Sequence, residues 1–348
     1  MVGKLRGARA RVSGLLSPDT PYAEVCPDID VYFEQVRENY AAFSNGIDYY
    51  KRCIEAISGS ERIEIVPMYE LAQRSKSARP RVAIRHDVDA DPVVAVQLAG
   101  ILAQRGICGS FFLLHSAPYY GSVHGNLFIR QSRVAGWVRQ LIVSGVEVGL
   151  HNDSIGMFMR HGFDPAAVVR RELLWLRSQG AVVRGTVAHN SIAAQPAENY
   201  EIFAPQVLWE RPVLNANGTR LKLGELSPAS LRLEYEGTFA VPRPEINRVA
   251  LGEFLDAAKS ADIRDDAWMR AYLGENPICS WDIDFQCWLV GPDSWVVAGG
   301  REQSGIFHWD LQLAELIEWI FSLPDSSRTM LVVHPEYFGD YDTLRPWD

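Results

Sequence analysis

The chain has 348 residues, 47% hydrophobic and 22% charged, with a net charge of −9; this is the profile of a globular chain long enough for one large domain or two ordinary ones. The acidic balance excludes a broad nucleic-acid footprint, which needs clustered Lys and Arg, and no run approaches the roughly 18 apolar residues of a membrane span. Five cysteines without a CxxC pair, and an opening "MVGKLRGARARVSGLLSPDTP" without an apolar stretch of signal-peptide length, predict buried thiols and a cytoplasmic protein.

In chain order, residues 28–44 read as a helix with Asp28 at its N-cap and an apolar face of Ile29, Tyr32, Phe33, Val36, Tyr40 and Phe43, ended by Asn45-Gly46. A second helix runs to about Ile57, "RIEIVPMYEL" adds a short strand, and "AQRSKSARP" is a polar linker. Residues 1–80 are therefore expected to form a mostly helical N-terminal cap. From residue 81 the rhythm changes to strand, helix, strand, helix. "RVAIRHDVD" is a strand, and Asp91 caps the helix "PVVAVQLAGILAQRG" with Pro92 at its first position. "ICGSFFLLHS" is the next strand, Ile129 to Ser144 the next helix, "VEVGLHND" a third strand, Pro165 to Gln179 a third helix and "VVRGTVAHNS" a fourth strand. Such alternation implies βαβ units and a parallel sheet. Between about 200 and 300 the pattern breaks into shorter β-like pieces. It resumes with the helix "DLQLAELIEWIFSLP" and the strand "RTMLVVHPEYFG".

The apolar strands share one feature: each ends in ionisable residues. The first ends in His86, Asp87 and Asp89, the second in His115, the third in His151 and Asp153, the fourth in His189 and the last in His334. Five of the eight histidines thus stand at the strand edge that carries active sites in parallel α/β folds. Imidazole mixed with carboxylate suits zinc, iron, nickel or cobalt, whereas a magnesium or calcium site would be nearly all oxygen. A catalytic ion with an open position lowers the pKa of a water from about 15.7 toward 7 and polarises a carbonyl. A leftover Asp then serves as base and a leftover His as acid.

"RHDVDADP", "EVGLHND", "VAHNS" and "LVVHPEYFG" together resemble the polysaccharide deacetylase family (carbohydrate esterase family 4), in its branch that carries RHDVD. The likeness covers residues 81–191 and 278–340. It implies a distorted (β/α) barrel over 81–348, with a β-rich insertion at about 200–300, and a metal-dependent hydrolase that removes acetyl groups from N-acetylated sugars. By position, Asp87 resembles the general base, Asp89 the metal-binding carboxylate, His151 the first metal histidine and His334 the acid that protonates the leaving amine. Arg184 is matched to the arginine that orients the base, and Asp284 and Trp288 to an Asp and a Trp beside the catalytic histidine. Val88 separates the two aspartates that the family writes side by side, although residues i and i+2 of a strand still share a face. The family's second metal histidine would fall on Ile155. His189 is expected to replace it, with Asp153 as the alternative. The implied ion is zinc, with iron, cobalt or nickel as alternatives, and the implied partner is a small or nucleotide-linked N-acyl sugar or a glycan.

Two other readings compete. A deacetylase-like protein without activity would bind sugar only. A glycosyltransferase would use Asp87 and Asp89 as a DxD motif on a metal and a sugar diphosphate, which leaves His151, His189 and His334 without a task.

Overall fold

The structure, a computed structural model, describes residues 28–73, 77–194, 197–203, 212–237, 283–299 and 306–341. Helices α1 (Ile29–Tyr40) and α2 (Ile47–Ser58) are followed by strand β1 (Glu64–Ile65), the short α3 (Met68–Ala72), β2 (Arg81–Val88), α4 (Pro92–Gln104) and β3 (Ser110–Leu114). Next come β4 (Gly121–His124), β5 (Leu127–Arg130), α5 (Val134–Val143), β6 (Glu147–Asn152), α6 (Ser154–His161), α7 (Pro165–Ser178), β7 (Gly185–Ala188) and β8 (Tyr235–Glu236). The described chain closes with β9 (Phe285–Gly291), β10 (Ser294–Gly299), β11 (Phe307–Leu311), α8 (Leu313–Phe321) and β12 (Arg328–Val333). Of the β-like segments expected between about 200 and 300, residues 207–211, 238–241 and 278–282, together with Cys26 and Cys279, lie outside the described residues, while β8, β9 and β10 fall on the expected pieces.

Ten of the described strands form one mixed sheet in the order β11-β10-β9-β12-β2-β3-β6-β7-β8, with β1 pairing the first residues of β2, and β4 and β5 form a separate hairpin. Pairing is parallel from β9 through β12, β2, β3, β6 and β7 to β8, and β10 and β11 add antiparallel strands at one end. The βαβ rhythm expected from residue 81 is therefore present as a central, mostly parallel sheet with helices.

Local chemistry sets the helix starts. Asp91 Oδ1 accepts the backbone N–H groups of Val93 and Val94, each at 3.0 Å, with Pro92 opening the helix. Asp164 and Pro165 repeat the device on α7, with N–H bonds from Ala166 and Ala167 at 2.9 and 3.1 Å. Such a cap satisfies amides that the helix itself cannot reach.

Period-2 alternation gives the sheet two faces. Val82, Ile84 and Val88 of β2, with Phe111, Leu113, Val148, Leu150, Leu331 and Val333, join side chains of α1, α2, α4, α5, α7 and α8 in one large apolar core. Tyr32, Phe33, Tyr50 and Ile54 of the N-terminal helices belong to that same core. On the other face Ala83, Phe112, Val187, Met330 and Val332 pack with Met68, Leu71 and Tyr235. Gly185 permits this: a Cβ there would lie 2.0 Å from the Tyr235 ring. At about 1.5–3 kcal/mol per fully buried large apolar side chain, both layers contribute to holding β2 between them.

Two local expectations fail. Ile129 was expected to begin a helix, but it lies in β5, which pairs with β4 across a Gly125-Asn126 turn; the helix starts only at Val134. Two residues of turn chemistry between short apolar runs make a hairpin, and this signal outweighs the helical spacing. Helix α6, directly after β6, was not expected at all. Its sequence SIGMFMRH is short and carries a central Gly156, so periodicity gives it little signature. Among the described residues no helix is long and apolar enough to cross a membrane.

Candidate metal centre

Parallel pairing brings the C-terminal ends of β2, β6, β7 and β12 to one edge. Asp89 follows β2, His151 lies near the end of β6, His189 follows β7 and His334 follows β12. Asp89, His151 and His189 each offer one ligand atom, and those atoms all lie within 4.8 Å of one another. His151 Nε2 is 3.3 Å from Asp89 Oδ1, and His189 Nε2 is 3.9 Å from Asp89 Oδ2. His334 Nε2 stands 3.5 Å from Asp89 Oδ2, on the side where β12 runs beside β2.

The tautomer of His151 follows from its partner: Nδ1 donates to the carbonyl oxygen of Val187 on the neighbouring strand at 3.1 Å. Nε2 is then the ring nitrogen turned to the Asp89 carboxylate. Asp89 Oδ1, His189 Nδ1 and His334 Nδ1 are all buried without a hydrogen-bond partner. Buried polar atoms are normally paired; of these three, Asp89 Oδ1 lies inside the cluster, while the two imidazoles turn Nε2, not Nδ1, toward Asp89, and a carboxylate facing imidazole nitrogens at this spacing suits a shared cation. Two imidazoles and one carboxylate are a donor set for zinc, iron, cobalt or nickel. The trio therefore fits a divalent transition metal.

Asp87 lies on the same face of β2 as Asp89. Both its oxygens are taken by Arg85, whose Nε and Nη2 donate at 2.7 and 2.6 Å, and Oδ2 is also 3.6 Å from His151 Nε2. Burial alone would raise the Asp87 pKa, but the Arg85 guanidinium, His151 and His334 outweigh it and hold the carboxyl below its usual range. For Asp89, too, burial raises the pKa, while His151, His189 and His334 bring it down. Asp87 is thus an oriented, ionised carboxylate beside the trio.

Asp153, the alternative third ligand, has both oxygens committed. Oδ2 is paired with Arg160 at 2.5 Å, Oδ1 accepts from Asn199 at 3.0 Å, and the same Oδ1 stands 3.9 Å behind His189 Nδ1. Burial lowers the His189 pKa, but the Asp153 and Asp89 carboxylates outweigh it and raise the value. The structure therefore gathers His189 with Asp89 and His151, and sets Asp153 behind it.

Four residues do not join the site. Arg184 precedes β7, so that about 16 Å of extended strand separates it from His189; it pairs with Glu234 at 2.7 Å and covers the Tyr69 ring. The expectation that Arg184 orients the base is thus corrected: Arg85, two residues before Asp87, holds it. Asp284 accepts from the backbone N–H of Arg328 at 2.7 Å, at the opposite end of the sheet. His86 points into the helical layer, as strand alternation requires. It stacks on Phe111 at 3.9 Å, its Nδ1 meets Ser110 O at 3.1 Å and its Nε2 meets the Tyr50 hydroxyl at 2.8 Å. Burial pushes its pKa down to about 3. His115 Nε2 accepts the backbone N–H of Asp153 at 2.9 Å, and burial lowers its pKa to about 4; it supports the site from behind.

The N-terminal helices are fastened to the two loops that flank the trio. Tyr32 donates to Ala90 O at 3.0 Å, next to Asp89. Ser44 Oγ donates to Gly339 O at 2.6 Å and the Asn45 N–H to Tyr337 O at 2.8 Å, in the loop after His334. The Tyr40 ring lies 6.0 Å from that of Tyr337, which is 5.5 Å from the His334 imidazole.

Comparison of the chain with protein-family models, with curated proteins and with solved structures found no match.

Proposed function

We propose that the protein is a metal-dependent hydrolase that removes an N-acyl group, acetyl in the simplest case, from an amino sugar or sugar conjugate, on a sheet that closes as a distorted (β/α) barrel of the polysaccharide deacetylase type. One observation carries this reading: Asp89, His151 and His189 converge at the edge where an Arg-fixed carboxylate, Asp87, stands on one side and a third imidazole, His334, on the other. The motifs that resemble that family fall on these residues. The convergence of His151 and His189 on Asp89 also gives the histidines a task that the glycosyltransferase reading lacks.

A divalent ion held by Asp89, His151 and His189, zinc in first place, would polarise the acyl oxygen and acidify a water. The residues of the chain supply the remainder. Asp87, ionised and locked by Arg85, accepts the proton from the attacking water. His334 gives a proton to the amine nitrogen, without which the leaving group departs as a poor anion. Burial excludes bulk water from Asp87 and strengthens each charge interaction there.

The test is acetate release by the full chain, purified without chelator and loaded with zinc, from N-acetylglucosamine, its short oligomers and its nucleotide diphosphate conjugate. Release that is abolished by chelation and restored by metal supports the proposal. Stoichiometric metal with sugar binding and no acetate would favour a binding protein instead, and absence of metal uptake would overturn the metal centre.

A further inference from the structure

The side chain that the family pattern would place four residues after His151 is Ile155, and it lies in an apolar cluster with Phe158, Ala194 and Ala197. His189 must therefore be made into a ligand by other means, and the structure shows what surrounds it. Its N–H donates to Asn152 O at 2.9 Å, and its carbonyl accepts from Asn199 Nδ2 at 2.8 Å. The backbone of His189 is bracketed on both sides.

Asn199, fully buried, opens the short turn Asn199–Ile202, ten residues further along the chain. Its amide is used completely. Nδ2 donates to His189 O and to Asp153 Oδ1, and Oδ1 accepts from the N–H groups of Ile155 at 2.8 Å and Gly156 at 3.4 Å. Its own carbonyl accepts from Asn152 Nδ2 at 2.9 Å. These partners fix which end of the amide is oxygen. One side chain thus joins the end of β6, the first turn of α6 and the segment after β7. It also aims Asp153: with Arg160 on the other oxygen, the carboxylate cannot turn away from His189 Nδ1, which is buried and unpartnered at 3.9 Å.

We propose that Asn199 is a positioning residue of the metal centre: by holding the His189 backbone and aiming Asp153 at Nδ1, it keeps the proton on that nitrogen and turns the Nε2 lone pair toward Asp89 and His151. A carboxylate behind a ligating imidazole fixes its tautomer and raises its basicity, and Asn199 and Arg160 fix the carboxylate. The inference rests on the metal reading above but assigns to Asn199 and Asp153 a task that the reading does not need.

The experiment is titration of zinc into the metal-free full chain by calorimetry, with the visible spectrum of the cobalt-loaded protein as a second readout. The variants are Asn199→Asp, which turns a donor into a repelling carboxylate, Asp153→Asn, and His189→Ala as the reference for a lost ligand. Ser110→Ala serves as control: it breaks a buried hydrogen-bond group around Glu147 that does not touch the site. Expected is a zinc affinity lower by roughly 10–100-fold in Asn199→Asp and Asp153→Asn, with cobalt spectra displaced toward that of His189→Ala, while Ser110→Ala loses stability with its cobalt spectrum unchanged. Native near-ultraviolet dichroism identifies the variants that have folded, and Asp153→Asn decides if Asn199→Asp does not fold. Wild-type affinity and spectrum in a folded variant overturn the proposal and leave the metal centre intact. Equal binding by wild type and His189→Ala overturns it as well, because His189 is then no ligand. A wild-type protein that binds neither ion overturns both readings.

Discussion

Arg85 and Asp87, two residues apart on β2, face the same way and meet through two hydrogen bonds of 2.7 and 2.6 Å. Both are buried in the same strand that the helical layer covers from behind. Removing one partner of a buried pair leaves the other charge uncompensated, which costs on the order of 3 kcal/mol or more.

Asp87→Asn is therefore expected to lose both turnover and stability while keeping its metal, since Asp89, His151 and His189 remain. From the sequence alone Asp87 is a catalytic group with no structural partner, and its loss would hardly affect folding; the bidentate contact with Arg85 changes that expectation. Urea midpoints, metal content and acetate release measured together decide it. Loss of metal in this variant would show that Asp87 and Asp89 have exchanged roles.

Asp91→Ala should behave differently. Its carboxylate caps α4 through Val93 and Val94 and meets Tyr341 at 3.3 Å. Loss of such a cap costs about 0.5–2 kcal/mol, so the melting temperature should fall while turnover stays near wild type. Lost activity at unchanged stability would place Asp91 in the chemistry.

His334→Ala should reduce amide hydrolysis by roughly 10²–10⁴-fold without releasing metal. An ester with a phenolate leaving group, such as 4-nitrophenyl acetate, needs no acid and should lose far less. An equal loss on both substrates would remove His334 from the role of proton donor.

Glu336, fully buried two residues after His334, provides a pH test. Burial first, and then the neighbouring Asp89 and Asp91, raise its pKa well above that of an ordinary glutamic acid. The sign follows from linkage. Above the unfolded value of about 4.5 the unfolded chain releases this proton and the folded chain retains it, so the contribution of Glu336 to stability falls as pH rises toward the folded pKa. Glu336→Gln keeps the shape of the neutral acid and removes the proton. Its melting temperature relative to wild type should therefore rise from pH 5 to pH 8, and a difference independent of pH would refute the raised pKa.

Much of this arrangement could be read from residue order. The Asp-Pro starts at 91 and 164, the apolar strands and the polar strand ends all follow from local chemistry, and together they put Asp89, His151 and His189 at one edge. Parity was harder to use. His86 stands in the same run as Asp87, but a strand turns each successive side chain to the opposite face, and this histidine belongs to the helical layer. Arg184 is matched to the base-orienting arginine by the resemblance alone, although it stands before β7 rather than after it. Arg85 had a usable signal, since it lies two residues before Asp87 on the same face. Asn199 had none: it comes from an irregular turn, and its importance resides in partners from three separate segments.

The order of strands in the sheet divides the chemistry in time as well as in space. Asp89, His151 and His189 come from β2, β6 and β7, which lie on one side of the sheet together with β3 and follow one another along the chain, whereas His334 arrives on β12, inserted on the other flank of β2. A chain emerging from the ribosome in N-to-C order therefore exposes every residue of the trio long before β12 exists. Under the proposed function, the residues that would hold the ion are synthesised first and the proton donor last, so ion binding would precede amine expulsion in the life of each chain.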